Sequence, residues 1–414
     1  MNASSKSGSG KSGSGFKMIV AGGGIGGLSA ALGLANKGCT VTVLEQAAQF
    51  GEIGAGIQIG PNAFHAMDYL GVGQAGRDKA VYIDKLVMMD ATTGGMVAQM
   101  PVDEPFRQRF GNPYAVIHRA DLHGVLHDAC MAHPAITLVN TQRVMGYENT
   151  GSGARVATES GQVFEGDGII GCDGVRSKIR EQLTGGDELR LSGHVAYRAV
   201  LPIEQMPEDM RWNAATLWAG PKCHMVHYPL QGWKTFNLVA TFQTDVSDVG
   251  TNEPGTREEI LSRFPNVVDR VRKVLETPTE WRRWVLGDRE PIENWTDGSV
   301  TLLGDAAHPT HQYFAQGACM ALEDSVCLAD KIEHCGGDLH RAFQEYQAER
   351  IVRAYRVVLS SRMLGKVYHA QGVERLIRNS VMGAKTPGQF YDGLEWLYGG
   401  TGLNSGLVQT ETAA

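Results

Sequence analysis

The first apolar segments of the chain occur in the order strand, glycine-rich loop, helix, strand. The run KMIVA at 17–21 precedes GGGIGG, a helical pattern in LSAALGLANKG, and the alternating run TVTVLE that ends at Glu45. Apolar residues at every second position favour a strand, whereas apolar residues three and four apart favour a helix. This order predicts a βαβ unit at the start of an α/β domain with a parallel sheet.

Four apolar segments in the middle of the chain predict a second sheet. They lie at 195–203, 215–220, 223–230 and 236–242. Their spacing of about 8 to 20 residues leaves room for turns rather than for crossover helices, which favours antiparallel neighbours. We therefore expect an antiparallel sheet beside the parallel one.

After another apolar strand, predicted over 299–307, the pattern becomes helical. The segments ALEDSVCLADKI and LHRAFQEYQAERIVRAYRVVLSSRML place apolar residues three and four apart. The second segment predicts a long helix over 338–368, and this helix or the segment after it is the candidate contact of a homodimer. We expect one stripe of the helix to pack in the core. The stripe consists of Ala342, Tyr346, Ile351, Ala354, Val358 and Leu359.

The composition is that of an ordinary globular protein. The 414 residues are 43% hydrophobic and 20% charged, with a net charge of −7. Such a mixture is neither disordered nor fibrous, and it lacks the basic excess that nucleic-acid binding requires. Because no run approaches 18 apolar residues, we predict no integral membrane segment.

The cysteines and the N-terminal residues indicate a cellular compartment. The seven cysteines include no CxxC pair, and an odd total favours neither a zinc ribbon nor a disulfide framework. Reduced thiols and the lack of an apolar signal segment predict a cytoplasmic protein. The first residues, MNASSKSGSGKSGSG, have the composition of a flexible linker, so we exclude the tail 1–16 from the fold.

Glycine is over-represented, with 52 of 414 residues against a usual level of about 7%. Gly22, Gly24 and Gly27 have GxGxxG spacing directly after the first strand, and Glu45 ends the next one. Glycine allows a tight turn and lets a pyrophosphate approach a helix N-terminus, while the acid accepts hydrogen bonds from a ribose. The loop predicts a bound dinucleotide and leaves NAD and FAD open.

Four further strings match a known family in order and spacing. They are GEIGAGIQIGPNA at 51–63, HRADLH at 118–123, GCDGVRSKIR at 171–180 and LLGDAAHPTHQYFAQGACMALED at 302–324. With the glycine loop, they resemble the group A flavoprotein aromatic hydroxylases, which have the p-hydroxybenzoate hydroxylase fold, from about residue 17 to about residue 400. The resemblance implies bound FAD, NADH as co-substrate, and oxygen transfer from O2 through a flavin C4a-hydroperoxide.

The resemblance also implies a set of cofactor-binding residues. From the residues alone, Asp305 ends a predicted strand, and the helix after Gly317 would favour negative charge at its N-terminus. No metal site is expected, because His123 and His127 lack the intervening Glu of a zinc motif. The predicted cofactor-binding residues are Gly22, Gly24, Gly27, Glu45, Gln46, Arg119, Asp173, Gly174, Asp305, Gly317 and Ala318.

Three residues are the candidates for catalysis. His224 and Tyr228 are four apart on a predicted strand, so both face the same side. A phenolate ring reacts faster with an electrophilic oxygen than a phenol does, and His224 can be the base that forms it. Tyr228 can donate a hydrogen bond to the substrate, and Gln312 can orient the ring. The spacing singles out no arginine for a substrate carboxylate.

The strings GPKCHMVHYPL and DREPIENW narrow the resemblance to the branch that para-hydroxylates 3-hydroxybenzoate to gentisate. Salicylate 1-hydroxylase and 6-hydroxynicotinate 3-monooxygenase activities remain alternatives, since the second also has an HxxxY strand motif. Gln312 and Gln58 favour the hydroxybenzoate. A more distant alternative is a non-catalytic FAD-binding protein, which would show no substrate-stimulated oxidation of NADH.

We therefore expect an α/β (α+β composite) fold. A Rossmann-type FAD-binding domain is interleaved with an antiparallel-sheet substrate domain and is followed by a helical C-terminal region. The predicted limits are 17–80, 111–185 and 290–335 for the FAD-binding domain, 81–110 and 186–289 for the substrate domain, and 336–414 for the C-terminal region. The expected partners are a small aromatic acid, O2 and NADH.

Overall fold

The computed structural model of the chain describes residues 15–51, 55–245 and 251–400. Residues 1–14 of the predicted tail and 401–414 of the predicted C-terminal region lie outside the described residues. The strands, in chain order, are β1 (Lys17–Ala21), β2 (Thr40–Leu44), β3 (Gly56–Ile59), β4 (Val81–Tyr82), β5 (Lys85–Asp90), β6 (Met96–Pro101), β7 (Ala115–His118), β8 (Ile136–Val139), β9 (Val144–Thr150), β10 (Gly153–Thr158), β11 (Val163–Gly166), β12 (Gly168–Gly171), β13 (Arg190–Pro202), β14 (Ala214–Gly220), β15 (Cys223–Leu230), β16 (Thr235–Gln243), β17 (Thr251–Gly255), β18 (Trp281–Asp288), β19 (Thr296–Asp297) and β20 (Val300–Leu302).

The helices lie between these strands and, beyond β20, form the last part of the described chain. The α-helices are α1 (Ile25–Asn36), α2 (Pro61–Tyr69), α3 (Gly73–Lys79), α4 (Glu104–Phe110), α5 (Arg119–Ala132), α6 (Lys178–Thr184), α7 (Arg257–Arg263), α8 (Asp269–Glu276), α9 (Gly317–His334), α10 (Leu339–Tyr368), α11 (Gly372–Gly383) and α12 (Pro387–Tyr398). Short 3-10 turns occupy Ile203–Gln205, Glu208–Met210, Gly304–Ala306 and Gln312–Phe314.

A six-stranded sheet carries the glycine loop. Its order is β19-β20-β12-β1-β2-β8, and every pair except β19 with β20 is parallel. β1 lies inside the sheet, with all residues after Lys17 buried, as expected for a parallel strand covered on both faces. Helix α1 packs on α9, where the hydroxyls of Ser29 and Ser325 lie 2.8 Å apart. The predicted βαβ unit is confirmed.

The second large sheet has eight strands in the order β17-β18-β13-β16-β15-β14-β5-β6. The four predicted segments are present as β13 to β16, and this part of the sheet is antiparallel as expected. β5 pairs with β14 in parallel, so the sheet as a whole is mixed. Strands β5 and β6 come from the predicted segment 81–110, and β13 to β18 from 186–289. Those domain limits stay predictions.

Side chains of the eight-stranded sheet alternate between a core and a cavity. On β15, Cys223 and Met225 pack in the core that this sheet shares with α7 and α8, whereas His224 and Tyr228 line a cavity on the opposite face. This is the two-residue period of a strand. A separate apolar core lies around the six-stranded sheet and α1, α9 and α10.

Two boundaries differ from the sequence predictions. The strand predicted over 299–307 ends at Leu302, because Gly304, with φ +63°, turns the chain into a 3-10 turn. Leu359, predicted in the core, is 49% exposed. The buried face of α10 passes through Tyr346, Ala354 and Val358, and the next residue is rotated by about 100° away from it.

The described residues have two further global features. All seven cysteines are free. A search of the helices in the described ranges finds none with both the length and the apolar character to cross a membrane.

Candidate active site

The glycine loop between β1 and α1 has no space for side chains at two positions. Gly22 has φ +111°, and a Cβ on it would lie 2.3 Å from the carbonyl oxygen of Cys172. A Cβ on Gly27 would lie 1.9 Å from the carbonyl oxygen of Gly22. Backbone contacts between β1, α1 and the end of β12 therefore require glycine at the first and last positions of the GxGxxG motif.

Two helix N-termini open onto the cavity without a side-chain cap. Gly24 precedes α1 and Gln316 precedes α9, and neither makes a capping hydrogen bond through a side chain. Both residues line the cavity, together with Gly317 and Ala318. Unpaired N–H groups and the helix dipole favour anions at such positions. The two ends can receive a pyrophosphate and an electron-rich ring of a dinucleotide.

The predicted acidic residues near the loop occupy different environments. Glu45 accepts hydrogen bonds from the backbone N–H of Gly23 at 2.8 Å and of Ala47 at 2.7 Å, which brings its carboxylate against the loop. Gln46, beside it, is exposed. Asp173 accepts from the N–H of Lys178 at 2.8 Å, whereas its Oδ1 is buried without a partner among the described residues. That orphaned oxygen is consistent with a ligand at this end of the cavity.

Asp305 lies in the 3-10 turn after β20. Its side chain is exposed to the cavity, where desolvation by the surrounding protein raises the pKa of its carboxyl and the charges of Arg119 and His308 oppose this. A buried network holds the turn. Asp324 of α9 accepts from the N–H of Gly304 at 3.1 Å and contacts Nε2 of His308 at 2.6 Å, and Arg350 of α10 donates to it at 2.8 Å.

A cavity of about 840 Å³ connects these elements to the eight-stranded sheet. Its size and its mixture of apolar walls with a few polar groups are typical of ligand sites. Of the predicted residues, it is lined by Gly24, Arg119, Gly174, His224, Tyr228, Asp305, Gln312, Gly317 and Ala318. The lining does not include Gly22, Gly27, Glu45, Gln46 and Asp173.

His224 and Tyr228 both reach the cavity from β15. Burial lowers the pKa of His224 to about 3, assisted by the nearby His194, so the imidazole is neutral at physiological pH and can accept a proton. Burial raises the pKa of the Tyr228 hydroxyl, which therefore remains a donor. The structure thus presents one base and one hydrogen-bond donor on the same face of the sheet.

Arg198 is a cavity residue that the sequence did not reveal. It extends from β13, donates from Nη2 to Oε1 of Gln312 at 2.8 Å, and lies over the ring of Trp284. Its Nε is buried without a partner among the described residues, and burial lowers its pKa. Gln312 also donates to the hydroxyl of Thr241 at 2.8 Å. An arginine with an unused donor can hold a carboxylate.

The fold and the site together define a class. A parallel sheet with a glycine loop and two uncapped helix ends would hold a dinucleotide, and residues of the second sheet line the same cavity. A search of the described part of the chain finds no cluster of three or more His, Cys, Asp and Glu suited to a metal. The class is a dinucleotide-dependent oxidoreductase with a buried substrate site.

Comparison with known proteins gives the family. Residues 16–361 match the FAD binding domain family. The chain is 50% identical over 382 residues to the 3-hydroxybenzoate 6-hydroxylase of Polaromonas naphthalenivorans (strain CJ2), covering 92% of this chain and 95% of that protein. It is 32% identical over 346 residues to the 6-hydroxynicotinate 3-monooxygenase of Pseudomonas fluorescens, covering 82% and 89%.

A solved structure has the same architecture. Klebsiella pneumoniae HpxO, complexed with FAD and uric acid, superposes with a TM-score of 0.82 at 26% identity, covering 91% of this chain and 95% of that chain. The chain therefore belongs to the FAD binding domain family, and within it to the flavin-dependent aromatic hydroxylases. The predicted resemblance and FAD as the bound cofactor are confirmed.

Replacing Asp305 by Ala is expected to weaken FAD binding by about tenfold or more, since a hydrogen bond to a charged group contributes about 1.5–3 kcal/mol. The dissociation constant of FAD, measured by flavin fluorescence on the apoprotein, checks this. Asp128→Asn is the control, because Asp128 is an exposed carboxylate on α5. Equal FAD affinity of the two variants would remove Asp305 from the cofactor site.

Proposed function

We propose that the chain is an NADH-dependent monooxygenase that converts 3-hydroxybenzoate to gentisate, placing one atom of O2 para to the phenolic hydroxyl. The observation that carries this proposal is the set of groups around one cavity. Arg198, His224 and Gln312 supply a cation, a neutral base and an amide, and the helix ends of α1 and α9 line the same cavity. A ring that bears a carboxylate and a hydroxyl fits these groups.

The relatives support the same substrate. The 50% identical relative is named for 3-hydroxybenzoate, and the relative named for 6-hydroxynicotinate is 32% identical. In addition, Gln58, which favours the hydroxybenzoate over the hydroxynicotinate, lines the cavity. Tyr114, also in the cavity lining, donates to its Oε1 at 2.8 Å.

The cofactor-binding residues follow as part of the proposal. Gly22, Gly24 and Gly27 bring the pyrophosphate of FAD to the N-terminus of α1, and Glu45 accepts from the adenosine ribose. Asp305 binds the ribityl chain. The remaining proposed contacts, around the pyrophosphate and the isoalloxazine ring, come from Gln46, Arg119, Asp173, Gly174, Gly317 and Ala318.

The side chains of this protein then have distinct tasks. Bound FAD supplies the oxidation of NADH and the activation of O2, which amino-acid side chains do not provide. Arg198 holds the carboxylate through its unused Nε–H, and Gln312, fixed by Thr241, positions the ring. His224 removes the phenolic proton, which raises the electron density at the para carbon. Tyr228 donates to the oxygen of the substrate.

A substrate panel tests the proposed function. The FAD-loaded protein is incubated with NADH and O2 and with 3-hydroxybenzoate, salicylate or 6-hydroxynicotinate, and the products are identified by mass spectrometry. We expect gentisate from 3-hydroxybenzoate with about one NADH consumed per product. Oxidation of NADH that yields only hydrogen peroxide with all three acids would overturn the proposal, and so would turnover of another acid alone.

Replacing Arg198 by Met is expected to raise the KM for 3-hydroxybenzoate by about 10- to 100-fold, because a charged hydrogen bond contributes about 1.5–3 kcal/mol. Steady-state kinetics of product formation measures this. Arg198→Lys, which retains the charge, should lose less than Arg198→Met. Arg282→Met on the neighbouring β18 is the control, since Arg282 is exposed and outside the cavity lining. An unchanged KM in Arg198→Met would contradict the assigned role.

We further propose that the protein is a cytoplasmic homodimer whose contact includes α11. This helix exposes Val373, Leu376, Ile377 and Val381, each by more than half of its surface. Monomers rarely leave such apolar patches uncovered, and a second copy supplies a self-complementary surface. Ile377→Glu is expected to shift the protein to a monomer in light-scattering chromatography, whereas the exposed polar control Glu374→Gln should not. A wild-type monomer would contradict this.

A further inference from the structure

His224 contacts a second histidine on the side away from the cavity. Its Nδ1 lies 2.7 Å from Nε2 of His369, and the ring centroids are 4.9 Å apart. His369 directly follows α10, is 3% exposed, and does not line the cavity. The two rings form a buried pair, and only His224 reaches the substrate side.

The single hydrogen between the two rings decides what His224 can do. If Nε2 of His369 donates this hydrogen, a neutral His224 carries its own hydrogen on Nε2 and can only donate to a ligand. If Nδ1 of His224 donates, Nε2 of His224 is bare and can accept a proton. The proposed role as base therefore requires His369 to be the acceptor.

We propose that His369 is the positioning residue that makes His224 a base, and that it receives the proton which His224 takes from the phenol. This inference rests on the function proposed above. In the first step the O–H bond of the substrate breaks and an N–H bond forms at Nε2 of His224. In the second, the Nδ1–H bond of His224 breaks and an N–H bond forms at Nε2 of His369.

The proton returns within the same turnover. When oxygen is added at the para carbon, the phenolate oxygen becomes a carbonyl. The ring then loses the proton of the para carbon, which leaves in the water formed from the second oxygen atom of O2, and the carbonyl oxygen regains a proton from His224, which is refilled from His369. Both histidines are neutral again at the end, so the pair needs no outside acid or base.

The position of His369 favours it over His224 as the temporary site of the charge. A cation on His224 would face the cavity that also holds Arg198, whereas His369 is further from the cavity, at the C-terminal end of a 30-residue helix. The negative end of a helix dipole stabilises an imidazolium. Burial and the two neighbouring histidines lower the pKa of His369, which makes its protonation transient.

Other titratable and charged groups surround the pair, and of the cationic ones Lys222 is exposed to solvent. The titratable and charged groups that pack around the pair are His194, Lys222, Tyr313, Tyr368, His311 and Arg378. His194 contacts the hydroxyl of Tyr313 through Nδ1 at 2.5 Å. His311 lies 3.4 Å from Asp288, and Arg378 lies 3.5 Å from Asp90.

Two substitutions separate the relay from simple orientation. His369→Gln keeps an acceptor for the Nδ1 hydrogen but cannot be protonated, and His369→Leu removes both properties. His227→Gln is the matched control, because His227 is a buried histidine of the same strand that faces the opposite side and accepts from Trp218 at 3.1 Å. The FAD content and the unfolding temperature of each purified holoenzyme show whether it folds.

The decisive measurement needs no turnover. The absorbance of 3-hydroxybenzoate bound to the oxidised holoenzyme is followed against pH, which gives the pKa of the bound phenol. We expect this pKa to be higher in both His369 variants than in the wild type and in His227→Gln. We also expect at least a tenfold slower formation of gentisate in both His369 variants, with FAD content unchanged.

The outcomes are distinguishable. A His369→Gln variant that behaves as the wild type, while His369→Leu does not, would reduce His369 to an orienting group and overturn the relay. Wild-type behaviour of both variants would also overturn it. If the wild-type protein makes no gentisate, the proposed function is wrong but the relay is still tested, because the pKa of the bound phenol is measured without turnover. A bound phenol with an unshifted pKa in the wild type overturns it as well.

Discussion

His224→Gln is expected to lower the rate of gentisate formation by roughly 10²- to 10⁴-fold, the usual contribution of a general base. Glutamine has a similar size and retains a hydrogen-bonding end, but it cannot accept the phenolic proton. FAD binding should be unchanged, because the FAD site proposed above is built from the glycine loop, the 3-10 turn and the ends of α1 and α9. NADH should still be oxidised, with hydrogen peroxide as the product in place of gentisate.

The pH dependence gives a second check on His224. Burial lowers its pKa to about 3 in the protein without substrate. The neutral, proton-accepting form is therefore present throughout the range from pH 5 to pH 8, and gentisate formation should not decline near pH 6.5 through protonation of His224 in the free enzyme. Rapid-quench measurement of product at several pH values tests this.

His227→Gln is the control for this substitution too. It changes a buried histidine three residues along β15 whose ring bonds to Trp218 on the core side. Wild-type product formation in His224→Gln would exclude His224 as the base. Loss of FAD from His224→Gln, but not from His227→Gln, would instead show that His224 supports the cofactor site.

The cofactor side of the molecule could be predicted because its constraints are local in the sequence. Gly22 and Gly27 are dictated by contacts with backbone a few residues away or at the next parallel strand. Gly317 in the sequence predicts the start of α9, which has no side-chain cap. Such features recur with fixed spacing in a family, so a resemblance to that family predicts the residues that form them.

The substrate side could be predicted only in part. His224 and Tyr228 share one strand, so their common face follows from the two-residue period. Arg198, on β13, contacts Gln312, which lies 114 residues away in the sequence. His369, at the end of α10, contacts His224, which lies 145 residues away. Nothing in the local pattern marks either residue, because their partners are set by the packing of the sheet against the C-terminal helices.

The same limit applies to α10. Its predicted stripe included Leu359, which is exposed, and omitted Arg350, which is 2% exposed. A charged residue in an amphipathic helix is normally assigned to solvent. Here two carboxylates on α9 pair with it, since Nη1 lies 2.7 Å from Glu323 and Nε 2.8 Å from Asp324.

Replacing Arg350 by Met is therefore expected to lower the free energy of unfolding by about 3–5 kcal/mol, the usual effect of removing one partner from a buried ion pair. Met fills much of the volume but leaves the Asp324 carboxylate without its arginine. Because Asp324 also holds Gly304 and His308 beside Asp305, the variant should retain less FAD after purification. Urea unfolding of the apoprotein and the flavin absorbance of the purified protein measure the two effects.

The pH dependence of this variant has a defined sign. The pKa of Asp324 is lowered to about 2 in the folded protein, with the charges of His308 and Arg350 opposing its burial, against about 3.9 in an unfolded chain. Its contribution to stability is complete above about pH 4 and is lost as the pH falls through 2. Without Arg350 the folded pKa rises towards the unfolded value, so this contribution shrinks and the fall in stability between about pH 4 and pH 2 should be smaller than in the wild type.

Arg341→Met and Arg350→Lys complete the test of the buried pair. Arg341 lies on the same helix and forms an exposed pair with Glu345 four residues later, so its replacement should leave the urea midpoint unchanged. Arg350→Lys keeps the charge but loses the fork of donors that serves both carboxylates, and it should fall between the wild type and Arg350→Met. If Arg350→Met unfolded at the same urea concentration as Arg341→Met, the pair would not hold α9 and α10 together. The 3-10 turn that contains Asp305 would then be stabilised by β20 and α9 without a contribution from α10.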